Sequence, residues 1–290
     1  MHSLSYKGLV AALALVVLAH GQAPAAQKPE PEKAAAPIER HDAELDLASS
    51  EIGRALFLRC FCGENNLTFD EQGRVRGDVK TRDWTLAGIN VLKVERKSPS
   101  EVELDGVRVA IRFAADRREF DRHPLNDDKM KVIVQDTGDA KMFRRALEAV
   151  FAEGIDRPLQ KAMPQYWQHY FDPLLGWPQD ALSGQMIYNP GAPGTPAGLT
   201  EASATKKAEA GYTGEASRDH VTGTTAVRLV VDPAGEARRV TVVQPLGYGL
   251  DERAVEAVAK YHLTPATLAG KAVPSYVLVR QEFVAVGTPQ

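Results

Sequence analysis
The chain has 290 residues, 44% hydrophobic and 25% charged, with a formal net charge of −3 and a pI near 6.2. This is ordinary globular material with room for more than one domain. The balance gives no reason to expect nucleic-acid binding, and basic pairs such as Arg117-Arg118 and Arg144-Arg145 read as solvated faces.

Lys7 precedes an uninterrupted small and apolar run, Gly8 to Ala19, and Ala23-Pro24-Ala25 supplies an A-x-A processing motif. Residues 1–25 therefore read as a secretory signal peptide. The alternative is a retained membrane anchor, but the run is shorter than the roughly 20 apolar residues that span a bilayer. No cysteine follows it, so there is no lipoprotein attachment site. Residues 26–44, rich in Pro, Ala, Glu and Lys, read as a flexible linker.

Residues 45–172 predict a β-rich α+β domain with one main helix. Ala55 to Cys62, Asn66 to Asp70, Arg74 to Lys80 and Trp84 to Arg96 read as strands. Asp105-Gly106, between Val102–Leu104 and Val107–Phe113, is a hairpin signal. A charged loop follows, then a strand from Lys131 to Gln135. Asp139 to Glu153 predicts the helix, with Phe143, Leu147, Val150 and Phe151 on one stripe and Gly154 at its end.

Candidate chemistry in this part is thin. Cys60 and Cys62 are the only cysteines; on a strand their side chains share a face roughly 6.5 Å apart, near the upper limit for a disulfide. Three readings stay open: two small buried hydrophobes, a disulfide or redox pair in an oxidising compartment, or a metal site that has no further Cys or His ligand beside it. Asp121, His123, Asp127 and Asp128 read as turn chemistry in a loop. No nucleophile, paired-carboxylate or metal constellation is visible, so the expectation is a non-enzyme without cofactor or metal.

Met163 to Trp177 is dense in aromatic residues. It reads as a helix or loop packed on its own domain, or as a docking surface. Asn189 to Gly198 then completes a Pro/Gly-rich linker, so that residues 173–204 separate two mutually mobile domains.

The last part, 205–287, predicts strand, turn, strand, helix, strand. Thr224 to Asp232 alternates, with Val227, Leu229 and Val231 on one face. Pro233-Ala234-Gly235 turns it, and Ala237 to Val243 returns. Leu250, Ala254, Val258 and Tyr261 recur at helical spacing, with Asp251 as a cap and Thr264-Pro265 as a stop. Ser275 to Val284 is a final strand. The result is a small α+β unit, a three-stranded antiparallel sheet with a helix across one face.

These residues resemble the TonB C-terminal domain family. The resemblance rests on Tyr212, Ala216 and Gly223 before the first strand, and on the hairpin Val231-Asp232-Pro233-Ala234-Gly235. The helix start Gly247-Tyr248-Gly249-Leu250-Asp251 adds to it, with Ala254-Val255, Tyr261, Leu263-Thr264-Pro265-Ala266, Gly270-Lys271 and Val273-Pro274 after it. One departure is Thr213, where the family carries proline; it is expected to loosen the helix start.

The resemblance implies a periplasmic location, or an inner-membrane anchor facing the periplasm if the apolar run is retained. It also implies a partner: an outer-membrane receptor or other envelope protein, paired by strand addition. Carried over by position, the accepting strand is Tyr276, Val277, Leu278, Val279, Arg280, Gln281, Glu282 and Phe283. An edge of this kind can also pair with itself to give a homodimer, and Arg280 and Glu282 equally suit an edge that only resists aggregation. Only Lys28 to Lys33 resembles the family's long stalk, and about ten residues of extended chain reach only roughly 30 Å. Two readings follow: an energy-transducer-type protein, or a periplasmic scaffold or peptide-binding protein without energy coupling.

Overall fold
A computed structural model describes residues 41–284. The signal peptide, and the linker up to residue 40, lie outside the described residues. From Asp42 onward the chain forms one compact unit, of mixed α+β architecture. Among the described residues no helix is long and apolar enough to cross a membrane.

Helix α1 (Ala43–Ser49) starts the unit, capped by the Asp42 side chain. It is followed by β1 (Leu56–Leu58), β2 (Asn66–Phe69), β3 (Gly88–Ser98), β4 (Glu101–Ala114) and β5 (Glu119–Gln135). Helix α2 (Ala140–Val150) and β6 (Phe151–Glu153) complete a six-stranded sheet of order β2-β5-β4-β3-β1-β6. The predicted stripe of α2 is the buried one: Phe143, Ala146, Leu147 and Val150 face the sheet. The helix stops earlier than expected, because Phe151 to Glu153 pairs with β1 instead.

Three differences from the sequence reading share one cause, that a local signal has more than one structural use. Asp105-Gly106 is no hairpin; β4 runs straight through it, and the chain turns at Pro99-Ser100. Gly106 sits where β3 bulges between Val91 and Lys93, and a Cβ there would lie 2.3 Å from the Asn90 carbonyl oxygen. Glycine is required by close backbone approach, not by a turn. The charged stretch before Lys131 is likewise the first half of β5, paired to β4 from Glu119 onward. Asp121 there pairs with Arg117 and Asp128 with Arg218, so the expected polar cluster is divided between separate partners.

The strand expected through Cys62 ends at Leu58. Phe61 takes a left-handed backbone (φ 49°), and its N–H donates to the Leu58 carbonyl. This turn brings the Cys60 and Cys62 Cα atoms to 5.1 Å and they form a disulfide. Arg108, buried and pushed down to about 10 by burial, holds the turn's exit. Its guanidinium donates to the carbonyls of Cys62, Gly63, Glu64 and Leu86 and to Asn65 Oδ1.

Helices α3 (Arg157–Ala162) and α4 (Gln165–Phe171) follow, then β7 (Ser203–Lys206) and α5 (Gly214–Arg218). The last region is β8 (Gly223–Val231), β9 (Ala237–Gln244), α6 (Leu250–Val258), β10 (His262–Thr264), β11 (Ala266–Leu268), β12 (Lys271–Val273) and β13 (Ser275–Phe283). Strands β13, β8 and β9 form an antiparallel sheet in that order. Leu229, Val231, Val277 and Val279 pack toward Val258 of α6.

Thr213 does not loosen α5. Its Oγ1 accepts the Ala216 N–H as an N-cap and donates to the Tyr248 carbonyl at 2.8 Å. Asp251 does not cap α6, whose N-cap is Gly249 with φ 71°. It turns back instead to accept the Leu246 and Gly247 N–H groups and to meet the Thr225 hydroxyl. That hydroxyl also bonds the Gln244 carbonyl. Protonated Asp251 satisfies all of these at once, donating to Thr225, which donates to Gln244. Burial pushes its carboxyl up to about 7.

Candidate functional site
The boundary expected at 173–204 does not separate the regions on either side of it, because they share a core. The outer side of β4, past the end of its pairing with β3 at Val109, is taken by the loop before α6. The Phe113 N–H donates to the Leu246 carbonyl at 3.1 Å, and the Tyr248 N–H to the Ile111 carbonyl at 2.9 Å. Gly247 lies between them with φ 93°, and a Cβ would stand 2.1 Å from the Ile111 oxygen.

A buried polar chain reinforces the seam. The Gly249 N–H donates to Thr85 Oγ1 at 2.8 Å. Thr85 in turn donates to the Asp83 carboxylate, which also accepts the Trp167 indole N–H at 2.8 Å. Burial pushes the Asp83 carboxyl up.

The aromatic segment is part of this seam. Trp167 of α4 is buried with Trp84, Phe57, Leu159 and Val242 of β9, and α4 lies alongside β9. Strand β9 also bulges, with Arg239 at φ 48° and ion-paired to Asp180 at 2.7 Å. The β9 side of the small sheet is thus taken up by the chain itself.

Strand β13 is different. It pairs with β8 along its whole length, from Ser275 opposite Val231 to Phe283 opposite Gly223. On its other side the Tyr276 N–H donates to the Tyr188 carbonyl and the Tyr188 N–H to the Pro274 carbonyl, both at 2.9 Å. Backbone groups of a strand alternate sides with period 2, so Leu278, Arg280 and Glu282 also point their N–H and C=O groups outward. No other described residue pairs with them.

The eight residues expected as an accepting strand therefore divide. Val277, Val279, Gln281 and Phe283 turn their backbone to β8 and their side chains to the α6 face, where Phe283 is buried. Tyr276, Leu278, Arg280 and Glu282 carry the outer edge, with Leu278, Arg280 and Glu282 exposed. Arg228 stacks over the Tyr276 ring at 5.3 Å on the same face. Cys60 and Cys62 lie in the other sheet region, away from this edge. Sequence reasoning missed Tyr188, whose only signal is an Ile-Tyr pair in a Gly/Pro-rich stretch.

The small antiparallel sheet thus has a helix on one face, α4 packed along its β9 side and, at β13, a strand edge with outward backbone groups. Residues 208–285 match the family model of the Gram-negative bacterial TonB protein C-terminal region. The match runs from just before α5 through β13 and makes this part of the chain a TonB C-terminal-like domain. A comparison with curated proteins finds no match.

Proposed function
We propose that this is a periplasmic binding protein, not an enzyme, that contacts an outer-membrane transport partner by accepting an extended segment along β13, in the manner of an energy transducer. The observation that carries the reading is the row of outward backbone groups at Leu278, Arg280 and Glu282 beside a sheet whose other side is closed. Ladder hydrogen bonds supply affinity in this mode, and alternate side chains supply choice.

Proline distinguishes such an edge from a merely solvated one. Arg280→Pro removes one outward donor and leaves the bonds to β8 in place, as proline tolerates edge positions. With a photo-crosslinker at Glu282 in intact cells, the expected result is an adduct with an outer-membrane protein that Arg280→Pro abolishes while the melting temperature stays within a few degrees. An adduct of unchanged yield in Arg280→Pro would overturn strand addition.

A second reading is a periplasmic scaffold without energy coupling. It is supported by the packing of the TonB-like part onto β4 and α4 as one unit. Dependence of the adduct on the proton gradient separates the two.

A further inference from the structure
The outer edge of β13 is not uniformly open. We propose that residues 186–189 are a built-in strand that closes its first part and confines an added partner strand to Leu278–Glu282; this rests on the strand-addition reading above.

Tyr188 pairs in parallel with Ser275, filling the outward acceptor of Pro274 and the outward donor of Tyr276. In a parallel ladder the next bond would run from the N–H of residue 190 to the Tyr276 carbonyl. Residue 190 is proline and has no N–H, so the built-in strand cannot propagate. The chain turns away at once, with the Ala192 N–H and the Thr195 hydroxyl bonding back to the Asn189 carbonyl. The first free outward N–H on β13 is therefore that of Leu278.

The segment is held at both ends independently of this contact. Upstream, Asp180 takes a two-pronged ion pair with Arg239 and Leu182 is buried. Downstream, Thr200 exchanges bonds with Thr267. Gly184 and Gly191, both at φ 78°, flank the pairing residues, and nothing lies within 4 Å of where a Cβ would stand at either. Loss of the Tyr188 contact leaves those anchors in place. The consequence is a short docking site: a partner strand that extends past Leu278 toward Tyr276 meets Tyr188 first.

Two measurements on the full mature chain decide this. By NMR-detected hydrogen exchange the Tyr276 amide should exchange at least ~10-fold more slowly than Leu278 and Arg280, and deletion of residues 186–189, which removes the Tyr188 carbonyl that accepts from it, should bring it to their rate while Val277 and Val279 stay slow. Equal rates at Tyr276 and Leu278 in the unaltered protein would overturn the closure. In cells, a photo-crosslinker at Glu282 should capture a partner in both backgrounds, and one at Tyr276 only when residues 186–189 are deleted. Capture from Tyr276 in the unaltered protein, as strong as from Glu282, would overturn the confinement. Adducts from neither position would overturn strand addition and with it any confining role, whereas the closed edge itself stands or falls on the exchange rates.

Discussion
The two sides of the small sheet show how one protein treats two exposed strands in opposite ways. On the β9 side, a bulge at Arg239, helix α4 and the Asp180 ion pair leave little ladder to offer. On the β13 side, the chain covers only the start, through Tyr188, and leaves Leu278 onward with outward donors and acceptors. Bulges, charges and covering elements are the usual means of preventing edge-to-edge pairing. The bulge and the covering helix lie at β9, whereas β13 carries only the exposed charges Arg280 and Glu282; under the proposed function this makes β13 the side that a partner uses.

The comparison depends first on the seam that ties the small sheet to β4. Gly247→Ala puts a Cβ into the Ile111 carbonyl at a positive φ, and should cost about 3 kcal/mol or more in denaturant unfolding. A change below about 0.5 kcal/mol would mean that the seam adds nothing.

Asp251→Asn tests the same loop from within. An amide cannot accept both the Leu246 and Gly247 N–H groups as the carboxyl does, so a loss of about 1–3 kcal/mol is expected. The pH dependence is the sharper test. Asp251 titrates near 7 in the fold, raised by burial and then by Asp83, against about 3.9 unfolded. The folded state holds a proton that the unfolded chain has released, so stability should fall as pH rises from about 4 to about 7 and then level off. Glu252, also raised to about 7 by burial, adds to the slope. The Asn variant should show a flatter profile.

Reduction of the Cys60–Cys62 bridge should matter less. The closed loop spans a sequence separation of 2, and chain entropy for so short a loop gives about 1.5 kcal/mol. Melting with and without a thiol reductant measures it, and the Glu282 adduct should survive reduction, since the bridge lies away from β13. Smallest of all, Leu278→Ser on the exposed face should change stability by less than about 0.5 kcal/mol.

Much of the fold was legible in local pattern. The alternation of Val227, Leu229 and Val231 and the stripe Leu250, Ala254, Val258 placed the sheet and helix of the last region correctly. What stayed hidden depends on residues far apart in the chain. Gly106 carries the same signal at a bulge as at a hairpin, and only β3 decides between them. Cys60 and Cys62 looked to lie near the upper limit for a disulfide because the positive φ of Phe61 is invisible in a strand-like run. Thr213 looked like a weak substitute for proline until the Tyr248 carbonyl stood over it. The whole of β13 was legible as a strand; which half faces outward needed the Tyr188 pairing.

The most direct test of the asymmetry between the two sides places a photo-crosslinker at Arg280 on β13 and, separately, at Val243 on β9, a residue 39% exposed. Capture of an envelope partner from Arg280 and none from Val243 is the expected result. Capture from Val243 equal to or greater than that from Arg280 would contradict the account, because it would make the sealed side the one that partners use.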